Sequence, residues 1–325
     1  MKQKPHLLTP VLLGMLFLGF TTLFSCKKKN NVQVVPPASS TIVDIVSSDP
    51  RFTILKAAVV KAGLAGALSG TTKLTVFAPT DDAFKAAGIT AATVTSTDAN
   101  ALKSILQYHV VAGLNNASSF PTSSATAPNT AVTTLQTTKA YVSKNTTGVF
   151  VNGSAKVVQA DLAASNGIIH VIDHVLAPQG IASIVDAAKA NSKLSLLVAA
   201  VVKCDLVTTL TGAGTFTVFA PTNDAFTAAG YTADKINSLN AAGIATLKNI
   251  LTYHVVSNRF FSSDLGLAPA AGLPTLQGQN VTFSLSGPKP QVIGASNSAG
   301  SNIGPLDIPT DNGVVHVIDQ VLLPK

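Results

Sequence analysis

The chain repeats itself, and no other feature constrains its fold as strongly. Ile42-Val43-Asp44 returns as Ile184-Val185-Asp186, and TVFAPTDDAFKAAG (75–88) returns as TVFAPTNDAFTAAG (217–230), both 142 positions on. ILQYHVV (105–111) returns as ILTYHVV (250–256) after 145 positions, and NGIIHVIDHVLAP (166–178) as NGVVHVIDQVLLP (312–324) after 146. Order is kept, and the drift falls between the blocks. Solenoid repeats run about 20 to 50 residues, so a period this long marks a duplicated domain. A chain of 325 residues suffices for two such units, each with its own core. The expected units are 41–178 and 181–325, with Gln179 and Gly180 nearly all the linker between them, a connection short enough to restrict domain motion.

Each block has a physical reading. Thr75 to Ala78 favours a strand that Pro79 stops. Thr80 then caps a helix whose first turn holds Asp81 and Asp82, where carboxylates meet the positive end of the helix dipole. Thr222, Asn223 and Asp224 repeat the corner. Leu102, Ile105, Leu106 and His109 fall on one helical stripe, as do Leu247, Ile250, Leu251 and His254. The valines at 110–111 and 255–256 predict that the chain leaves this helix as a strand. In the third block alternation sets Ile168, His170, Ile172, His174 and Leu176 on one strand face and Ile169, Val171, Asp173 and Val175 on the other. Both faces are largely apolar, so the strand is expected in the middle of a sheet. Asn166-Gly167 and Asn312-Gly313 read as the turn before it.

The first 40 residues differ in kind. Lys2 and Lys4 precede an apolar run, Leu7 to Phe24, that ends Leu23-Phe24-Ser25-Cys26. This pattern is that of a signal peptide over 1–25, and its last four residues resemble a bacterial lipobox, which predicts cleavage before Cys26 and lipidation of its thiol. Acyl chains add about 0.8 kcal/mol per buried CH₂, so two or three together form a stable anchor. Residues 26–40, polar and carrying Pro36-Pro37, read as the tether. With Cys26 lipidated, Cys204 has no intramolecular partner; its place after the apolar run 194–202 predicts a buried, inert thiol.

The net charge of +7 belongs largely to that leader, because Lys2, Lys4, Lys27, Lys28 and Lys29 supply five positive charges with no acid among them. The remaining body is near balance and has only Arg51 and Arg259, so it lacks the basic face that a nucleic-acid partner requires.

Taken together the blocks resemble the fasciclin domain, whose two motifs look like TVFAPTNDAF and NGxxHVIDxVLLP with a Tyr-His pair between aliphatic residues. All three occur twice and in family order, from about residue 41 to 325. The resemblance implies an α+β fold: two tandem fasciclin-like domains, each a β-sandwich-like wedge with a packed helical layer. It implies extracytoplasmic adhesion or interaction modules, and it makes Tyr108, His109, Tyr253 and His254 a candidate interaction motif, since animal relatives bind integrins through that region. The chain contains no RGD.

Tempting chemistry has plainer explanations. His109 with His254 and His170 with His316 recur, but zinc needs three or four clustered ligands and no HExxH or Cys/His cluster is present, so the expectation is core histidines and no metal. His174 shares a predicted strand face with His170, yet its counterpart is Gln320. No nucleophile elbow, P-loop or dinucleotide fingerprint is present, and Asp82 and Asp224 stand where helix-start carboxylates belong. The expected function is therefore a non-enzymatic adhesion or protein-interaction module without cofactor. It would be lipid-anchored in a bacterial envelope, the outer membrane foremost, on either face, and would meet an extracellular or periplasmic protein or polysaccharide. A glycan-binding accessory lipoprotein is the alternative, disfavoured by the absence of Trp and by only four Tyr. Asn115–Thr130 and Gly287–Gly304 differ between copies, and as divergent surface loops they are where specificity is expected.

Overall fold

A computed structural model describes residues 39–325 except Gln179, Ala213, Pro305 and Leu306. The signal peptide, Cys26, nearly all of the tether and Gln179 of the linker lie outside the described residues. By contacts the chain divides into Met1–Val34 and Val35–Lys325, and everything described belongs to the second unit.

The first copy opens with helices α1 (Ile42–Ser48), α2 (Thr53–Lys61) and α3 (Ala65–Ser69), then strand β1 (Leu74–Pro79) and helices α4 (Asp81–Ala86), α5 (Ala91–Ser96) and α6 (Ala99–Tyr108). Strands β2 (Val110–Ala112), β3 (Thr130–Thr133), β4 (Lys139–Asn145), β5 (Gly148–Val151), β6 (Ala155–Ala164) and β7 (Gly167–Ile172) complete it. The second copy runs α7 (Ile184–Ala190), α8 (Ser195–Lys203), α9 (Val207–Thr211), β8 (Phe216–Pro221), α10 (Asn223–Ala228), α11 (Ala233–Asn237), α12 (Ala241–Tyr253) and β9 (Val255–Ser257). It ends with β10 (Leu273–Pro274), β11 (Asn280–Ser284), β12 (Gln291–Ile293), β13 (Ser301–Asn302), β14 (Ile308–Thr310) and β15 (Gly313–Ile318).

Local chemistry sets the helix starts. Thr80 and Thr222 accept from the N–H of Ala83 and Ala225, each at 3.2 Å, a cap that contributes about 1 kcal/mol. The first-turn residue does more than complement a dipole. Asp81 accepts from the Ile54 N–H at 2.8 Å and from the Thr53 hydroxyl, capping the start of α2. Asn223 does the same for α8 through Leu196 N–H at 2.9 Å, which is why an amide replaces the acid without loss.

The third block forms the predicted central strand. β7 lies between β1, parallel to it, and β6, antiparallel; β15 lies between β8 and β14 in the same senses. Its alternation divides two cores. In the first copy Ile169 and Val171 join Val76 and Ala78 against the helices, while Ile172 joins Phe77, Val142 and Val151 on the β side. The second copy repeats the division, with Val315 and Val317 on the helix side and Ile318 and Phe219 on the other. Each such side chain withdrawn from water stabilises the fold by roughly 1.5–3 kcal/mol, and a strand buried on both faces collects it twice over.

Three expectations are corrected. The strand of the third block ends at Ile172, short of Leu176, because the Asp173 carboxylate takes the Lys156 N–H at 2.8 Å and turns the chain; Asp319 does likewise with Asn302 N–H at 2.8 Å. His174 therefore stands beyond the strand, exposed and paired with Asp173, and does not share a face with His170. The stretch Gly287–Gly304 is not a free loop, since it contains β12 and β13 and donates the Ala295 N–H to the Tyr253 hydroxyl. Both strands are too short to show a period.

The copies differ most in the sheets. The first has seven strands ordered β2-β1-β7-β6-β5-β4-β3, with register shifts along the ten-residue β6. In the second the corresponding segment is interrupted between β13 and β14, leaving two four-stranded sheets, β14-β15-β8-β9 and β10-β11-β12-β13.

Candidate functional site: loop anchors and the seam between the copies

The Tyr-His pairs end helices α6 and α12 and are buried, no residue of the four being more than 2 % exposed. The Tyr108 hydroxyl donates to the Lys139 carbonyl at 3.0 Å and accepts from the Asn152 amide at 2.9 Å; that of Tyr253 donates to the Asn280 carbonyl and accepts from Ala295 N–H, both at 2.8 Å. His109 lies between the Ile105 carbonyl at 2.8 Å from Nδ1 and the Leu176 N–H at 2.9 Å from Nε2. A carbonyl needs a donor and an N–H needs an acceptor, so the ring is the neutral tautomer protonated on Nδ1. His254 has the same partners in Ile250 and Leu322. Burial pulls both rings down to about 4, against the pull of the carbonyl that favours the charged form. Every polar side-chain atom of the four residues is engaged within its own domain, where it ties the end of the helix to β4 or β11 and to the segment that follows β7 or β15.

A second constellation was not legible in the repeated blocks. Thr75 Oγ1 donates to the Gly113 carbonyl at 2.8 Å and accepts the Asn115 N–H at 2.8 Å, and His170 Nε2 donates to the carbonyl of the same Asn115 at 2.8 Å. His170 Nδ1 accepts from the Asp161 N–H at 3.3 Å, and the Asp161 carboxylate takes the Ala117 N–H at 2.9 Å. Thr217, His316 and Asp307 hold Phe260 and Ser262 in the same way. Each histidine stacks on a β1 or β8 phenylalanine, Phe77 at 5.5 Å and Phe219 at 5.6 Å between centroids. The trio contains a hydroxyl, an imidazole and a carboxylate, yet it is not built for acyl transfer: the hydroxyl faces a carbonyl and the imidazole takes a backbone N–H, not the carboxylate. It is an anchor that launches the loop after β2 or β9 at a defined angle. Asp161 and Asp307 each stand five positions ahead of the repeated Asn, the one signal that marks them in the sequence. Both have left-handed φ, 58° and 56°, which Asp tolerates better than most residues.

What the anchors launch differs. At a spacing of 145, Arg259 takes the place of Leu114 and Phe261 that of Asn116. Leu114 is 53 % exposed and Arg259 5 %, because the second copy docks this edge on the first. The Arg259 guanidinium lies 3.7 Å from the centre of the Tyr141 ring and donates to the carbonyls of Gly313, Thr310 and Asp311 at 3.2, 2.8 and 3.0 Å. Tyr141, Phe261 and Val314 form a small apolar core. Around it the Asn129 amide donates to the Arg259 carbonyl at 2.6 Å and the Asn145 amide to the Ser263 carbonyl at 2.8 Å. Asp264, fully buried beside them, accepts from Phe261 N–H at 3.1 Å; burial pushes its carboxyl up to about 6. The divergent stretch 115–130 thus ends as part of an interdomain seam. Tyr141→Ala is expected to remove this core and lower stability by about 3 kcal/mol, in the range for truncating a buried aromatic. Calorimetry should show one unfolding transition in the native chain and two in the variant.

Cys204 is buried, with a thiol that burial raises above its ordinary range. Among the described residues no three of His, Cys, Asp and Glu are grouped to hold a metal, and no helix is long and apolar enough to cross a membrane.

A duplicated α+β domain with anchored loops and a Tyr-His pair in each copy defines a family. The fasciclin domain profile matches residues 50–178 and 192–324, and the chain belongs to the fasciclin family. Among its relatives, protein sll1483 of Synechocystis is 41% identical over 44% of this chain and 73% of its own length. Human periostin is 32% identical over 57% of this chain but only 21% of periostin, and porcine transforming growth factor-beta-induced protein ig-h3 is 33% identical over 49% of this chain and 22% of its own length. In solved structures, a FAS1 domain pair from the insect cell adhesion molecule fasciclin I aligns over 83% of this chain and 95% of that one, at 22% identity and a TM-score of 0.41.

Proposed function

We propose that the chain is a non-enzymatic adhesion or protein-interaction module of a bacterial envelope, held at the outer membrane by acyl chains on Cys26, with residues 26–40 as tether and 41–178 and 181–325 as the presenting domains. Fasciclin domains occur in cell-adhesion and protein-interaction proteins. The observation that carries the reading is the anchor: two copies hold the same loop residue by the same Thr and His, through its N–H and its carbonyl, and launch dissimilar loops from it. That is the division of labour of a recognition scaffold, in which a rigid frame carries variable surface. The same bonds occupy the hydroxyls and imidazoles that catalysis would need free. The Tyr-His pairs serve a partner indirectly, by positioning the strands and loops at their ends.

Deleting residues 41–325 while keeping the leader and tether is expected to abolish attachment or biofilm formation and to empty pull-downs of envelope partners. Unchanged attachment and unchanged pull-downs would sink the proposal. Metabolic labelling with a fatty-acid probe should mark the native protein and not Cys26→Ala, and a native protein without label would remove the lipid anchor from the proposal.

A further inference from the structure

We propose that the cleft between the two domains binds an acidic sugar unit, with Arg259 and Lys139 receiving its carboxylate and Asp311 and Asn258 its hydroxyls. The cleft, of about 330 Å³, is within the size of small-molecule sites. Four observations converge on it.

The first is a buried cation with no ion-pair contact. Arg259 is 5 % exposed, and all its hydrogen bonds run to neutral carbonyls; among the described residues no carboxylate lies within salt-bridge distance of it. Burial pulls its guanidinium below the ordinary range against the weaker opposing pull of Tyr141 and Asp311, and buried charges are ordinarily paired in direct contact. A guanidinium is also the side chain whose planar fork best matches a carboxylate.

The second is that Lys139 Nζ, the Asp311 carboxylate and the Asn258 amide border the same cleft and make no hydrogen bond to any described residue. The third is their mixture. A bare oxyanion would suit the two cations but face repulsion from Asp311, and a neutral sugar would use Asp311 and leave the cations uncompensated. A uronate carries both the carboxylate and the hydroxyl donors that an acceptor-only carboxylate takes. The fourth is the wall, where Thr126 and Thr215 add hydroxyls beside the small apolar surfaces of Ala127, Pro128 and Ala131. The aromatic platform usual for sugars is not offered, because Arg259 covers the Tyr141 ring; recognition is polar and ionic. The inference does not rest on the adhesion reading, since it is tested without cells.

Saturation-transfer NMR on the full chain in detergent micelles, with methyl glucuronide as ligand and methyl glucoside and acetate as controls, is the test. Saturable binding of the glucuronide in the millimolar range is expected, weaker at higher salt, with both controls at least fivefold weaker. Lys139→Ala and Asp311→Ala, both at exposed side chains, should each weaken it at least fivefold while leaving circular dichroism and melting unchanged. No saturable glucuronide binding overturns the proposal. So does acetate binding as tightly, which would make the cleft a bare anion site. Glucoside binding as tightly would reduce it to a neutral-glycan site and overturn the ionic half. Full affinity in both folded variants would place the sugar elsewhere on the molecule and equally overturn the assignment.

Discussion

Gly167→Ala and Gly313→Ala are each expected to cost about 3 kcal/mol, at the upper end of what overpacking does, although alanine adds a single methyl group. A Cβ at Gly167 would stand 2.2 Å from the Leu74 carbonyl oxygen and 2.6 Å from Ile42 Cδ1; at Gly313 it would stand 2.2 Å from the Phe216 carbonyl oxygen and 3.0 Å from Ile184 Cγ2. The obstacle is backbone in the parallel ladder between β7 and β1, or β15 and β8, so relief requires shifting the central strand of the domain. Gly88 and Gly230 are the control. They end helices α4 and α10 at φ +72° and +82° with nothing within 4 Å of a Cβ, in a terminus where Ile89 N–H reaches the Phe84 carbonyl at 2.8 Å and Tyr231 N–H that of Phe226 at 2.9 Å. Alanine there meets only the left-handed backbone and should cost about 1 kcal/mol. Urea midpoints at constant slope measure both pairs, and equal costs for the two classes would refute the steric account.

Acidification should separate two domains that look alike at neutral pH. His109 and His254 have native values of about 4 against an ordinary 6.5, so between those limits the unfolded chain binds more protons than the native one. Stability is whole above pH 6.5 and falls as pH drops toward 4, by about 3 kcal/mol for each ring. His170, also lowered by burial, adds to the loss in the first domain. In the second, Asp264 has the opposite sign. Its native value of about 6 lies above the ordinary 3.8, so burying its charge costs about 3 kcal/mol at neutral pH, and that cost is relieved as pH falls below 6. The two effects nearly offset in the second domain and leave the first exposed. Limited proteolysis at pH 7 and pH 4.5 is expected to show first cuts at acid pH within residues 41–178, with the melting transition lowered. First cuts in the second domain, or equal cutting, would contradict the assignment of these shifts.

Much of the frame is legible in the residues alone. The threonine caps, the stripe from Leu102 to His109, the strand after it and the central place of the third block each follow from a local period or a short-range hydrogen bond, and the duplication supplies an internal check on each. The histidines were legible as core residues because they recur on apolar faces. Where the reading fell short, the cause is a contact at long range. Asn166-Gly167 reads as a turn and forms one, but its further roles were not legible: the Asn side chain accepts from Ile42 N–H at 2.9 Å and donates to the Leu68 carbonyl at 2.8 Å, and the Gly admits the neighbouring strand. Asp161 and Asp307 carry no periodic signal because each acts on a residue 44 or 45 positions away in the chain.

The repeat by itself determined that there are two domains and that the histidines recurring in both belong to their shared frame, because these depend on neighbours within a few residues of one another or on positions duplicated whole; the α+β class of that frame came from the family resemblance of the repeated motifs. Only the tertiary structure decided that the copies are not equivalent. Arg259 and Tyr141 meet across 118 positions of sequence, and nothing in either copy's pattern states which edge of one will cover which face of the other. That choice is made by shape and by the desolvation of a single cation, and those exist only once both domains have folded.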